Sequence, residues 1–102
     1  MRKPDVCVTC GRFTDLTFHH LIPRKMHRRK RFQKLYNTEQ LNQGIAICRQ
    51  CHRGIHKQYD EMTLAMEKNS LQKLLDDAPL RRHFDWVAKQ KIKQPNGGKE
   101  TK

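Results

Sequence analysis

Long apolar runs and acidic residues are both scarce in this chain of 102 residues. Hydrophobic residues make up 35% of it, and no run approaches the roughly 20 apolar residues of a membrane-spanning helix, so we expect no membrane-spanning segment. The first residues, from Met1 to Asp5, lack the apolar stretch of a signal peptide, so we predict a cytoplasmic protein. So few apolar residues fill only a small core, which favours one small domain held together by a metal or by disulfides.

The charge of the chain is strongly one-sided. Lys and Arg number 22 against 10 acidic residues, which gives a formal net charge of +12. In a compact chain these positive charges repel one another and destabilise the fold unless a polyanion lies nearby. Nucleic acid is therefore the first candidate partner, and an anionic membrane surface is the second.

The four cysteines form two C-x-x-C pairs, Cys7 with Cys10 and Cys48 with Cys51. Two such pairs supply the four thiolates that a tetrahedral zinc ion binds. Disulfides are disfavoured in the cytoplasm, and nothing in the sequence resembles the βαβ setting of a redox C-x-x-C. We therefore predict a structural zinc site, and the alternative is a set of free, buried cysteines.

Four histidines accompany the cysteines. His52 and His56 are four residues apart, so on a helix they project from one face and can bind the same metal ion. His19 and His20 are adjacent, so in a strand they point to opposite sides. One of the two can then bind the ion while the other accepts a proton, because histidine titrates near neutral pH. The alternative is that all four are ordinary surface or core residues.

The apolar pattern predicts short strands followed by helices. We expect strands at residues 16–22 and 44–48, and between them a short helix that Asn37 caps with Gln40 in the capping-box position. Helical periodicity begins near Gln50 and resumes from Met62 to Leu75.

A last predicted helix begins after Asp77, with Pro79 in its first turn. We expect Phe84 and Trp86 to pack in the core from this helix and His83 to lie on its solvated face. Beyond it, the composition predicts a disordered tail at residues 94–102.

Taken together, these motifs resemble the HNH endonuclease family. The matching stretch comprises Cys7-x-x-Cys10, then Phe18-His19-His20-Leu21-Ile22-Pro23-Arg24, then Ile47-Cys48-Arg49-Gln50-Cys51-His52-Arg53-Gly54-Ile55-His56. The resemblance implies an α+β fold, with a ββα-metal core and two zinc knuckles. We accordingly divide the chain into a nuclease core at residues 1–60 with a basic insertion at 24–36, a C-terminal helical extension at 61–93 and a tail at 94–102.

The resemblance also implies a role for each histidine. His20 matches the general base, His19 the strand ligand of a catalytic metal ion, and His52 and His56 the helix histidines, of which relatives use both or only one as ligands. The implied ion is Mg²⁺, Mn²⁺, Ni²⁺ or Zn²⁺. The family's asparagine, which helps to fix the loop that positions the base, falls at Gln43 with Asn42 beside it, so both are candidates for that role.

The implied activity is metal-dependent hydrolysis of DNA phosphodiester bonds, by nicking or double-strand cleavage, with 5′-phosphate and 3′-hydroxyl products. No carboxylate cluster accompanies the histidines, which fits a single metal ion. The expected partner is double-stranded DNA, with no membrane, and the chain would be a monomer or a homodimer. The alternatives are a non-catalytic zinc module that binds nucleic acid, and a toxin or an accessory subunit with the same chemistry.

Basic residues that could contact DNA phosphates cluster between residues 24 and 34, and we expect Phe32 to pack beneath them. Arg49 and Arg53 flank the start of the predicted helix and could clamp the scissile phosphate. The alternative is a solvated charged loop. We assign His27 to this basic run and not to the metal site. The candidate DNA-binding residues are Arg24, Lys25, Arg28, Arg29, Lys30, Arg31, Arg49 and Arg53.

Overall fold

The fold is α+β, as predicted. The computed structural model describes residues 4–91, so the predicted tail at residues 94–102 lies outside the described residues. The elements in chain order are β1 (Pro4–Val6), β2 (Phe13–His20), a 3₁₀ helix (Arg24–Arg28), α1 (Lys30–Leu35), α2 (Thr38–Leu41), β3 (Gly44–Cys48), α3 (Arg49–Gln58), α4 (Glu61–Glu67), α5 (Leu71–Asp76) and α6 (Ala78–Ala88). Within residues 4–91, no helix is long and apolar enough to cross a bilayer.

The three strands form one antiparallel sheet with β2 in the centre. β2 pairs with β3 so that Leu16 lies opposite Cys48 and His20 lies opposite Gly44. The strand predicted at residues 16–22 begins earlier, at Phe13, and ends earlier, at His20, because the chain turns towards the 3₁₀ helix after Leu21. The β2–β3 hairpin followed directly by α3 is the predicted ββα core.

The helix boundaries follow their capping residues. Asn37 and Gln40 form the predicted capping box at the start of α2. The prediction of one helix from Met62 to Leu75 is wrong, because α4 ends at Glu67 and α5 begins at Leu71. Ser70 breaks the helix by accepting a hydrogen bond from Lys73 N as the N-cap of α5.

The helical extension shares a hydrophobic core with the hairpin and α3. Its buried members are Cys7, Leu16, Ile47, Cys48, Cys51, Ile55, Leu64, Leu74, Leu80, Phe84 and Val87. A smaller hydrophobic core lies under the basic insertion and contains Ile22, Met26, Phe32, Leu41 and Ala65. Residue 60 as the boundary between core and extension stays a prediction.

Helices α3 and α6 cross in close contact at Gly54. A Cβ atom at Gly54 would overlap the imidazole of His83, whose Nε2 donates a hydrogen bond to the Gln50 carbonyl at 3.0 Å. His83 is therefore half-buried, and its prediction as a solvated residue is wrong. Phe84 is buried as predicted. Trp86 is 54% exposed, so its predicted core packing is wrong, because it does not lie on the helix face that carries Leu80, Phe84 and Val87.

Candidate metal centres and nucleic-acid interface

The four cysteines converge from the turn after β1, from β3 and from α3. Cys7 and Cys10 follow β1, Cys48 ends β3, and Cys51 lies in the first turn of α3. Their sulfur atoms all lie within 4.8 Å of one another, with 3.9 Å between Cys7 and Cys51 and 3.8 Å between Cys10 and Cys48. Zinc–sulfur bonds of about 2.3 Å in a tetrahedron require sulfur separations of about 3.8 Å. The cysteines are therefore positioned to bind a metal ion.

Backbone hydrogen bonds hold the turn around Cys7, whose sulfur is buried among the other cysteines. Gly11 has φ +85° and donates its N–H to the Cys7 carbonyl at 2.8 Å, which closes the turn. The Cys48 N–H points at the Cys7 sulfur at 3.3 Å. Burial raises the pKa of Cys10, so a thiolate there requires a cation nearby.

Arg12 joins this cluster to the end of α6, a contact that the sequence did not predict. Its guanidinium lies 3.5 Å from the Cys48 sulfur and 2.7 Å from Gln50 Oε1. It also donates to the Gln90 and Lys91 carbonyls at 3.1 and 3.3 Å. The side chain therefore places a positive charge beside the cysteines and anchors the C-terminal helix there.

A second cluster contains His19 of β2 with His52 and His56 of α3, whose candidate ligand nitrogens lie within 4.8 Å of one another. His19 is 1% exposed, and neither of its ring nitrogens has a hydrogen-bond partner among the described residues. Burial and the two neighbouring imidazoles lower the pKa of His19 to about 3. A buried, neutral imidazole with free nitrogens is the chemical form that binds a metal ion.

Thr17 controls which nitrogen of His52 is available. Its hydroxyl donates to the Ile47 carbonyl at 3.0 Å and lies 2.8 Å from His52 Nδ1. Since the only hydroxyl proton is used, Thr17 accepts from Nδ1–H, and the lone pair of His52 lies on Nε2. The sequence signal was the i, i+2 spacing of Thr17 and His19, which places both on the strand face that meets α3.

His20 lies at the end of β2, next to His19 but outside the second cluster. It is half-buried, and its ring contacts the rings of Phe18 and His27 at centroid distances of 4.8 and 5.6 Å. Burial, and then the charges of His27 and Arg24, lower the pKa of His20. The imidazole is therefore neutral at neutral pH and can accept a proton.

Asn42 and Gln43 both have exposed side chains. The backbone of Gln43 accepts a hydrogen bond from Leu21 N at 3.0 Å, which places it beside the residue that follows His20. Among residues 4–91, neither side chain hydrogen-bonds to that segment. The orienting role of these two side chains stays a prediction.

The candidate DNA-binding residues lie at the surface. Those of the insertion are carried by the 3₁₀ helix and the start of α1, while Arg49 and Arg53 lie on α3. Lys25 also pairs with Glu61 at 3.5 Å, an exposed contact of little energetic weight. All eight side chains are exposed, namely Arg24, Lys25, Arg28, Arg29, Lys30, Arg31, Arg49 and Arg53. Phe32 of the same segment is buried beneath them, as predicted.

Comparison with known proteins agrees with this geometry. The family model described as HNH endonuclease matches residues 7–58. The chain is also 30% identical over 104 residues to the uncharacterized protein YisB of Bacillus subtilis (strain 168), covering 95% of this chain and 93% of that protein. No solved structure matches the chain. The family match spans the cysteine cluster, the histidine cluster and the ββα core, and the chain therefore belongs to the HNH endonuclease family.

Proposed function

We propose that this protein is a metal-dependent endonuclease that hydrolyses DNA phosphodiester bonds with His20 as the general base. The observation that carries the proposal is the convergence of three imidazoles, those of His19, His52 and His56, beside a fourth that is held apart from them. A module that only binds DNA has no need of a buried histidine with free nitrogens. Family membership and the net charge of +12 support the same substrate class.

The two clusters have different tasks in this proposal. Cys7, Cys10, Cys48 and Cys51 bind a structural zinc ion, as their tetrahedral spacing favours. His19, His52 and His56 hold the catalytic ion, with His56 the most exposed of the three. When bound, a divalent ion of the type Mg²⁺, Mn²⁺, Ni²⁺ or Zn²⁺ neutralises the scissile phosphate and stabilises charge on the leaving oxygen.

His20 accepts the proton of the attacking water. It is neutral before the reaction because burial and nearby positive charge lower its pKa. His20 follows His19 on β2 and lies outside the histidine cluster, which supports its role as a proton acceptor and not as a further ligand. Arg49 and Arg53, exposed on the first turns of α3, bind phosphate oxygens near the scissile bond.

Cleavage of supercoiled plasmid by wild-type protein and by His20→Ala tests the proposal. With Mg²⁺, Mn²⁺ or Ni²⁺ present, we expect wild type to produce nicked or linear DNA. His20→Ala should lose at least about 100-fold in rate, the contribution typical of a general base. DNA binding by gel shift and zinc content should be unchanged in the variant, because His20 contacts neither zinc nor backbone phosphate in this scheme.

Two results would overturn the proposal. Undiminished cleavage by His20→Ala would exclude His20 as the base. Wild-type protein that binds DNA but never cleaves it with any of these ions would favour the alternative function, a non-catalytic zinc-dependent nucleic-acid-binding module. The exposed basic residues serve DNA binding equally well in both cases.

The basic insertion is proposed to bind the backbone of double-stranded DNA. Replacing Arg28 and Arg29 with Gln removes two exposed charges from the junction of the 3₁₀ helix and α1. The slope of log affinity against log salt should then shrink by about 1 for each phosphate that the variant no longer binds. Replacing Arg82 and Lys89 with Gln removes the same charge from the C-terminal helical region and is the matched control.

A further inference from the structure

The chain just beyond His20 is held by its backbone at two points. Leu21 N donates to the Gln43 carbonyl at 3.0 Å, which extends the pairing of β2 with β3. The backbone carbonyl of the following residue, Ile22, lies 2.7 Å from His27 Nε2. A carbonyl only accepts hydrogen bonds, so His27 Nε2 carries a proton and donates it. His27 thus ties the 3₁₀ helix to the end of the strand that presents His20.

The imidazole of His27 also contacts the imidazole of His20 directly. The two rings meet at a centroid distance of 5.6 Å with an interplanar angle of 74°. Phe18 contributes a second ring contact to His20, at 4.8 Å and 86°. Gly44 permits that contact, because a Cβ atom there would overlap the Phe18 ring. The orientation of His20 is therefore defined by packing as well as by the strand.

No other side chain among residues 4–91 bonds to the Leu21–Ile22 backbone. The side chains of Asn42 and Gln43, the sequence-based candidates for orienting the base, are exposed. The Leu21–Ile22 backbone bonds instead to the Gln43 backbone carbonyl and to the His27 side chain. His27 is half-buried, although it lies in a run of exposed Arg and Lys residues. A phosphate-binding residue in that run would have its nitrogens free, whereas Nε2 of His27 is used inside the protein.

We propose that His27 is a positioning residue for the general base. Its Nε2–H fixes the Ile22 carbonyl, and its ring limits the rotation of the His20 imidazole, so that the proton acceptor stays aligned with the attacking water. This inference rests on the proposed role of His20. It predicts that His27 acts on the rate of the chemical step and not on the binding of DNA or of metal.

Three substitutions of His27 separate its hydrogen bond from its bulk. His27→Leu keeps an apolar side chain but has no donor, and His27→Asn has a donor too short to reach the position of Nε2. His27→Gln carries an amide N–H at about the reach of Nε2. We expect kcat for DNA cleavage to fall about 10- to 100-fold in the Leu and Asn variants, as for other losses of alignment, and to recover most of its value in the Gln variant. KM for DNA and the affinity for the catalytic ion should stay unchanged.

Gln33→Ala is the matched control. Gln33 Nε2 donates to the His27 carbonyl at 3.1 Å, so its removal takes another side-chain hydrogen bond from the same 3₁₀ helix without affecting the Ile22 carbonyl. Wild-type kcat is expected for this variant. Nuclear Overhauser contacts between the His20 and His27 rings give a second readout, which needs no cleavage and should be retained in Gln33→Ala.

The outcomes distinguish this inference from the proposed function. If His20→Ala abolishes cleavage while His27→Leu and His27→Asn keep the wild-type kcat, His27 has no positioning role. If both variants raise KM for DNA at constant kcat, His27 is a phosphate contact and the inference is wrong. If His27→Gln is as slow as His27→Asn, the hydrogen bond to Ile22 is not the cause. Undiminished cleavage by His20→Ala would remove the proposed function, and this inference with it.

Discussion

The hydroxyl of Thr17 accepts the Nδ1 proton of His52 at 2.8 Å, because its own proton is donated to the Ile47 carbonyl. This contact selects the tautomer in which His52 Nε2 is free to bind a metal ion. The second cluster therefore depends on a residue that lies outside it. Hydrogen bonds of this kind to a ligating histidine are commonly worth 10- to 100-fold in metal affinity.

Thr17→Val should weaken binding of the proposed catalytic ion by about 10- to 100-fold, because it removes the acceptor but keeps the shape of the side chain. Titration calorimetry with Mn²⁺ or Ni²⁺ on zinc-loaded protein measures the effect. Thr14→Val makes the same chemical change on the same strand, at a position paired with β1, and should bind like wild type. Equal affinities for the two variants would show that Thr17 does not select the tautomer.

Zinc content should follow the cysteines and not the histidines. Cys51→Ser is expected to lose zinc and to unfold, because structural zinc binding carries about 10–16 kcal/mol of apparent free energy and Cys51 is fully buried. His52→Ala should retain zinc and its circular dichroism spectrum. Elemental analysis of the purified variants makes the comparison, and loss of zinc from both variants alike would contradict the division into two sites.

Acid should destabilise the fold through His19. Its folded pKa of about 3 lies below the ordinary value of 6.5, so between these pH values the unfolded chain binds a proton that the folded chain does not. The free energy of unfolding should therefore fall as pH decreases below 6.5, by up to about 1.4 kcal/mol per pH unit from this residue. Urea unfolding at several pH values tests this. His19→Gln cannot titrate there and should give a shallower slope, and equal slopes would contradict the prediction.

Gly54→Ala should destabilise the protein although alanine is the better helix former. The gain in helix propensity is about 1 kcal/mol, whereas overpacking against the His83 ring costs about 1–3 kcal/mol. Urea unfolding of the single variant and of the same change in a His83→Ala background measures the coupling. In that background the clash is absent, so Gly54→Ala should become neutral or stabilising. If Gly54→Ala is still destabilising in the His83→Ala background, contact with the His83 ring is not the cause.

Tyr59→Phe should cost about 1–2 kcal/mol above pH 4, because the Tyr59 hydroxyl donates to the Asp77 carboxylate at 2.6 Å. Burial raises the pKa of Asp77, but the bonds from Tyr59, from Lys68 and from Leu80 N outweigh it and leave the pKa below its ordinary 3.8. This stabilisation is present above pH 3.8 and is lost as pH falls through the folded pKa.

Tyr36→Phe is the control for that prediction. The Tyr36 hydroxyl accepts from Asn69 Nδ2 at 3.3 Å, so its partner is uncharged. Its removal should cost less than that of Tyr59 and should not depend on pH between 3 and 7. A pH-independent cost for Tyr59→Phe would show that the charge on Asp77 does not strengthen the bond.

The sequence predicted the two clusters because short spacings define their geometry. The two C-x-x-C pairs, and His52 with His56 on one helix face, need only local backbone structure to converge. Arg12 and His27 were missed as site residues because backbone carbonyls are among their main partners, and these leave no pattern in the sequence. The break in the predicted helix at Ser70 was readable, since serine followed by a helical run is a frequent N-cap.

Cys51 and His52 are consecutive residues in the first turn of α3, so the cysteine cluster and the histidine cluster share neighbouring backbone. A zinc ion bound by Cys51 would hold the first turn of α3, and with it His52, against the sheet that carries His19. We therefore expect metal loading to be ordered, with zinc taken up during folding and the proposed catalytic ion only afterwards. If the protein cleaves DNA as proposed, the supply of zinc to newly made chains would limit how much active protein forms.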